Sequence, residues 1–214
     1  MEEKYLPEVE DWDAFLAPYS QAIEELKIKL KGIRLQYRQK GKHAPIEFIT
    51  GRVKTPDSIR EKMQVRKILT EDFLEGVQDI AGLRIMCQFV DDIFEVVRLL
   101  RKRNDFTIII ERDYIHQKKA SGYRSYHVVL EYPVQRIEGE EKILVEIQIR
   151  TLAMNFWATI EHSLNYKYKG EFPEIIHERL ERAAEAAFLL DEEMSQIREE
   201  IQEAQYIFST NKEN

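Results

Sequence analysis

Residues 143–150 read ILVEIQIR, an alternation that a β-strand turns into two chemically different faces. Ile143, Val145, Ile147 and Ile149 fall on one side, and Leu144, Glu146, Gln148 and Arg150 fall on the other. Such a strand needs a sheet beside it and other elements against its apolar face. Taken alone, its polar row is equally what an ordinary half-buried edge strand shows.

The rest of the chain supplies the partners. Asp11 caps an N-terminal helix, and Pro18 opens a second helical stretch to about Gln39, before Gly41 and Pro45 break it. Residues 46–54 read as a strand. Thr55-Pro56 starts a helix to about Leu69, with Thr capping and Pro in the first turn. A strand over 83–90, a helix capped by Asp91 to about Arg103 and a strand over 106–112 follow. After a loop at 115–122, strands 126–132 and 143–150 are joined by a turn around 138–141. Thr151 caps a helix to about Tyr168, and beyond Phe172-Pro173 one long helix runs to about Phe208. The expected fold is α/β (α+β): a mixed five-stranded sheet flanked by helices, with an N-terminal helical segment (1–40), a central domain (41–170) and a C-terminal helix (171–214).

Composition narrows the class. A net charge of −7 argues against duplex DNA as a partner, which needs a dense basic face, but leaves room for a local phosphate pocket. Single-stranded RNA stays open. The lone cysteine, Cys87, cannot form an internal disulfide. No apolar run reaches membrane-spanning length, so the expected location is the cytoplasm, away from membranes.

Four further segments carry polar chemistry. Asp79 lies in QDIAGLR just ahead of a strand, where a carboxylate suits a hard cation such as Mg²⁺, although a turn aspartate capping local amides reads the same way. In SGYRSYH, residues 121–127, Tyr123, Ser125 and His127 share one side if extended. Tyr stacks on bases and flanking Lys and Arg hold phosphates, yet His127 alone reads as a structural histidine. Arg52 and Lys54 share a strand face, and Ser58 and Lys62 lie one turn apart on the next helix. Asn155, Thr159, His162 and Tyr166 form a polar helical stripe, with Met154, Trp157, Ile160 and Leu164 as core. His162 has no second His or Cys at ligand spacing, and no Walker loop, kinase set or Ser-His-Asp pattern occurs.

In chain order, GRVK, QDIAGLRI, SGYRSYH, VEIQIRT and FWATIEHSLNYKY resemble the synthetase domain of the RelA/SpoT homologue superfamily, over roughly residues 27–169. The likeness is greatest to its short, stand-alone branch, the small alarmone synthetases. That resemblance implies a nucleotidyltransferase-like sheet and a transfer of pyrophosphate from ATP to the 3′-hydroxyl of GDP or GTP, giving AMP and (p)ppGpp. It implies Asp79 and Glu146 as Mg²⁺ ligands, with Glu146 also the base. It implies Arg52, Lys54, Ser58, Lys62 and Arg84 around ATP, with the two arginines sandwiching adenine. It implies Arg112, Lys119, Tyr123, Arg124, His127, Gln148 and Asn155 around GDP or GTP, with Tyr123 stacked on guanine. The family's long members hydrolyse the alarmone through His-Asp motifs, and no His-Asp pair occurs here. Two other readings stay open: a pyrophosphotransferase acting on tRNA ends, and a catalytically silent nucleotide- or RNA-binding module.

The last helix adds an assembly signal. Ile176, Leu180, Ala183, Ala187, Leu190, Met194, Ile197, Ile201, Ala204 and Phe208 recur in steps of three and four, a seam that asks for a partner helix. The cover is either the N-terminal helix of the same chain or other copies. The resemblance implies a homotetramer with pppGpp as an effector held at Lys31, Phe48 and Thr50.

Overall fold

The computed structural model describes residues 7, 9–168 and 173–210, without the side chains of 166, 167, 209 and 210; Tyr166 of the polar stripe is among these. Helix α1 (Trp12–Gln39) starts at Asp11, whose Oδ1 accepts the Asp13 and Ala14 amides at 3.0 Å each. It does not restart at Pro18. One helix runs through the proline, which lies on the buried side with Tyr19, Ala22, Ile23, Leu26 and Leu30. An internal proline costs about 3 kcal/mol. Each large apolar side chain buried on that stripe contributes roughly 1.5–3 kcal/mol, so packing outweighs the break.

Strand β1 (Phe48–Val53) leads to α2 (Pro56–Arg66), capped by Thr55, whose Oγ1 accepts the Ser58 amide at 3.3 Å. Helix α2 stops short of Leu69 because Lys67 turns left-handed at φ 53°. A 3₁₀ turn (Thr70–Asp72) and the single turn α3 (Phe73–Gly76) precede β2 (Ala81–Cys87). Strand β2 therefore begins and ends earlier than 83–90, and Val90 already belongs to α4 (Val90–Arg101). Asp91 is not the cap of α4. Asp92, one residue further, accepts the Phe89 amide at 3.2 Å and closes the helix start.

Strands β3 (Thr107–Asp113), β4 (Tyr126–Arg136) and β5 (Gly139–Thr151) complete the sheet. The β4–β5 hairpin is longer than its apolar core suggested. Arg136 pairs with Gly139, which takes φ 123°, so the turn shrinks to residues 137 and 138. Pro133 is tolerated inside β4 because β3 pairs with β4 only up to Glu131, leaving that edge without a ladder. The strand order is β1-β2-β5-β4-β3, with β2 and β5 parallel and the other pairs antiparallel.

The alternation of β5 is realised. Ile143, Val145, Ile147 and Ile149 are buried beside Leu83 and Ile85 of β2 and Val128 and Leu130 of β4. Helices α1 and α4 cover that face through Leu26, Leu30, Ile93, Val97 and Leu100, so α1 shares one core with the sheet. The opposite face stays open.

Helices α5 (Leu152–Lys167) and α6 (Glu174–Thr210) pair with each other. Thr151 caps α5 as expected, accepting the Met154 amide at 3.1 Å. Met154 and Trp157 are buried, but Ile160 and Leu164 are 46% and 43% exposed and are not core here. They continue a stripe begun by exposed Leu152 and Phe156, on the side of α5 turned away from α6. Trp157 Nε1 donates to Leu180 O at 2.9 Å, and Thr151 Oγ1 donates to the buried Asp191 Oδ2 at 2.5 Å. Further along, Arg198 of α6 reaches Asp91 at 3.3 Å and lies over the Phe89 ring. Because α1 is committed to the sheet, it leaves Leu190, Met194, Ile197 and Ile201 of α6 exposed. No helix among the described residues is long and apolar enough to cross a membrane.

Candidate active site

Strand pairing gathers side chains that lie far apart in sequence. Thr50 pairs with Arg84, Arg84 with Gln148, Gln148 with His127, and His127 with Arg112. Paired residues project to the same face, so one polar row crosses all five strands. A second row carries Arg52, Gly82 and Glu146. Gly82 leaves space between its neighbours; a Cβ there would meet only Arg52 O, at 3.8 Å.

Glu146 sits in a closed ring of hydrogen bonds. Its Oε1 lies 3.1 Å from His127 Nδ1, and its Oε2 accepts from Gln148 Nε2 at 2.9 Å. His127 Nε2 is 2.8 Å from the Tyr123 hydroxyl, which also accepts from Arg150 Nη2 at 2.5 Å. Arg150 Nη2 closes the ring on Gln148 Oε1 at 2.7 Å. A carboxylate at Glu146 requires the hydrogen on His127 Nδ1, so the ring donates to Oε1. Burial pushes the Glu146 carboxyl up, but His127 and Gln148 outweigh it and hold it below its ordinary value of 4.5. Burial raises the Tyr123 phenol.

Asp79 occupies the turn before β2. Its Oδ2 meets Lys54 Nζ at 2.8 Å and its Oδ1 meets Lys62 Nζ at 2.6 Å. The turn is tied to the end of β1 by Lys54 N donating to Ile80 O at 2.8 Å. Burial works against the Asp79 carboxylate, and the two ammonium groups more than offset it, keeping the acid below 3.8. Burial also lowers Lys62, only partly countered by Asp79; the short contact to a lowered acid keeps the pair ionised.

The loop after β3 closes one side. Tyr114 sets its ring edge-on to His127 at 5.2 Å and to Tyr123 at 6.2 Å. Lys119 Nζ lies 4.7 Å from the Tyr114 ring centre and 4.9 Å from that of Tyr123. Arg112 Nη2 donates to Gln78 Oε1 at 3.1 Å. Lys119 is lowered by burial and then by Arg66, with Arg150 and Arg112 adding to it. Arg84 is lowered by burial, then by Arg150 and Arg52. Cations that depress one another across an open cleft favour a polyanionic guest, whatever the chain's net charge.

Thus Asp79, Glu146, Arg52, Lys54, Lys62, Arg84, Arg112, Lys119, Tyr123, His127 and Gln148 lie on this face or at its margin. Ser58 is engaged in the Thr55 cap at the start of α2. Asn155 lies on the first turns of α5 with its Oδ1 buried and, among the described residues, without a hydrogen-bond partner. Arg124 departs from the expected set. Its guanidinium points to α6, bonding Glu185 at 2.9 Å and lying 4.0 Å from the Phe188 ring centre, because neighbours in an extended chain project to opposite sides. Phe48 and Thr50 share the open face, whereas Lys31 lies on α1, across the sheet from them. Arg150, Tyr114 and Gln78 were missed as site residues. Alternation had put Arg150 on the polar row of β5, and Gln78 opens the QDIAGLR segment, but nothing in the sequence marked Tyr114.

Among the described residues no three His, Cys, Asp or Glu side chains converge to form a metal cage. Two carboxylates, Asp79 and Glu146, belong to this site, and the charge of Asp79 opposes the ionisation of Glu146. That donor set fits Mg²⁺, which takes one or two carboxylates and completes its shell with water and substrate phosphates.

A family model described as the region found in RelA / SpoT proteins matches residues 51–171. GTP pyrophosphokinase YjbM from Bacillus subtilis is 63% identical over 201 residues, 94% of this chain and 95% of that protein. GTP pyrophosphokinase YwaC from the same organism is 40% identical, over 90% of this chain and 93% of that protein. The crystal structure of small alarmone synthetase 1 from Bacillus subtilis, bound to its product pppGpp, superposes with a TM-score of 0.85 at 62% identity, covering 89% of this chain and 98% of that one. A GTP pyrophosphokinase family protein from Streptococcus pneumoniae gives 0.85 at 64% identity, covering 92% and 97%.

Proposed function

The chain belongs to the RelA/SpoT family, and from that premise we propose how its open sheet face makes (p)ppGpp. It is a GTP pyrophosphokinase: the 3′-oxygen of GDP or GTP bonds to the β-phosphorus of ATP, the bond from that phosphorus to the α-phosphate oxygen breaks, and AMP leaves. The observation that carries the assignment of roles is the ring that holds Glu146 on a rigid strand, with Asp79 and a bank of cations beside it.

Phosphoryl-type transfer asks a protein mainly for positioning and charge neutralisation. Lys54 and Lys62 exchange their contacts with Asp79 for the ATP phosphates, while Arg52 and Arg84 take the adenine between them and Ser58 lies at the margin. Tyr123 stacks on guanine. Lys119 and Arg112 hold the phosphates of the guanosine nucleotide, with His127, Gln148 and Asn155 lining its site. Glu146 accepts the proton of the 3′-hydroxyl. His127, hydrogen-bonded to Oε1, keeps that carboxylate ionised and oriented beforehand. Mg²⁺, held by Asp79 and Glu146 when bound, supplies charge neutralisation at the moving group. Arg124, bonded to Glu185 of α6, does not hold the nucleotide.

The exposed stripe Leu190, Met194, Ile197 and Ile201 supports a homo-oligomer, taken as a tetramer. The 42% exposed Phe48 is the residue on which a pppGpp effector would stack, beside Thr50; Lys31 lies across the sheet, so an effector touching all three would bridge chains. A cytoplasmic location accords with the single buried thiol, Cys87.

The test is product analysis from labelled ATP with GDP, GTP or tRNA. A labelled guanosine product and unlabelled tRNA are expected. Glu146→Gln and Asp79→Asn should each lower turnover by about 10²–10⁴ with unchanged circular dichroism. A Glu146→Gln enzyme that keeps more than about a tenth of its rate rules out the base assignment.

A further inference from the structure

The segment from Lys118 to Arg124 has two sides. Lys119 and Tyr123 turn to the open face. Lys118, Gly122 and Arg124 turn to α6. Lys118 Nζ lies 3.2 Å from Glu185 and 3.6 Å from Glu181, and Arg124 Nη2 lies 2.9 Å from the same Glu185 carboxylate oxygen. Gly122, at φ 84°, rests directly on the helix: a Cβ there would fall 2.6 Å from Ala184 Cβ and 3.5 Å from Glu181 Cα. The turn is tightened by Gly122 N donating to Lys119 O at 2.8 Å and Lys119 N donating to Tyr123 O at 3.2 Å. The side facing α6 and the side facing the open sheet are thus carried on one short hydrogen-bonded turn.

Arg124 is the costly part of this contact. It is 7% exposed, and its Nε and Nη1 are buried without a hydrogen-bond partner among the described residues. Among the described residues its one ion-pair partner is Glu185, and its plane covers Phe188. A desolvated guanidinium with two idle nitrogens adds little stability over an apolar side chain of its size. Its directional bond to α6 does fix the position of the residue next to Tyr123.

We propose that Arg124 and Glu185 are positioning residues for the guanosine nucleotide: α6 seats the 118–124 turn, and through it the Tyr123 ring and the Lys119 ammonium. The inference rests on the reading that Tyr123 and Lys119 meet GDP or GTP. Glu185 touches no residue of the Asp79 or Glu146 sites and is on the α6 side of the turn, so its loss acts on one substrate only.

The experiment measures KM for ATP and for GDP separately, with kcat and thermal stability, in Glu185→Ala, Ala184→Leu and Tyr123→Ala enzymes. Glu185→Ala leaves a buried guanidinium without its counter-charge, and Ala184→Leu pushes Gly122 off the helix. Each should raise KM for GDP about tenfold and leave KM for ATP within about twofold. Glu185→Asp should recover most of the lost affinity. Equal rises for both nucleotides, or a GDP KM that does not move in either α6 variant, overturn the positioning role. If Glu185→Ala fails to fold, Ala184→Leu alone decides. Tyr123→Ala separates the two levels. When it raises the GDP KM and the α6 variants do not, the coupling is wrong and the site reading stands; when it raises neither selectively, the site reading itself is wrong.

Discussion

Asp191 should set a pH-dependent weakness in the fold. Its carboxyl is buried between α6 and the start of α5, with Thr151 Oγ1 donating to it, and burial raises it from 3.8 to about 6 in spite of that bond. In the folded protein the proton is therefore held to higher pH than in the unfolded chain. Between about pH 4 and about pH 6 the folded state binds more protons, so stability falls as pH rises through that window. Above it, the ionised Asp191 costs about 3 kcal/mol, from roughly two pH units at about 1.4 kcal/mol each. Asp191→Asn removes the titration and keeps an acceptor for Thr151, while its new amide hydrogens cost about 1–3 kcal/mol if they find no partner. That cost is the same at every pH. The difference in unfolding free energy between variant and parent should therefore move in favour of the variant by about 2–2.5 kcal/mol from about pH 4 to about pH 7.5. Urea unfolding at fixed protein concentration, repeated across that range, reads it directly, because assembly also shifts apparent stability. Parallel pH profiles for the two proteins would refute the reasoning.

Two other expectations follow from the site and from α6. Arg150→Lys keeps the charge but loses the planar guanidinium, whose Nε donates to Ser125 while Nη2 donates to Tyr123 and Gln148 and whose face lies over the Tyr123 ring, so kcat/KM for the guanosine nucleotide should fall about tenfold or more in steady-state assays; an unchanged value would remove Arg150 from the site. Leu190→Glu with Ile197→Glu should lower the mass measured by light scattering without loss of helix content, and a parent protein that is already monomeric at micromolar concentration would end the assembly reading.

Much of this was legible locally. The two faces of β5, the caps at Asp11, Thr55 and Thr151, and the extent of α6 follow from periods and end signals that involve only neighbours in the chain. Where local reading failed, a non-local term won: the buried stripe carries α1 through Pro18, and β4 pairing extends the hairpin to Arg136. The motifs around Asp79, Tyr123 and Glu146 pointed to the chemistry, and the same alternation that selected Tyr123 already sent Arg124 the other way.

The sequence by itself determined which residue types each strand offers and on which side. A period of two or of 3.6 is a property of backbone geometry and needs no partner. Only the tertiary structure decided that Thr50, Arg84, Gln148, His127 and Arg112 form one row, and that Lys54 and Lys62 converge on Asp79. Strand order and register are set by hydrogen-bonded pairing of segments far apart in the chain, and a slip of one residue would turn each polar side chain into the core.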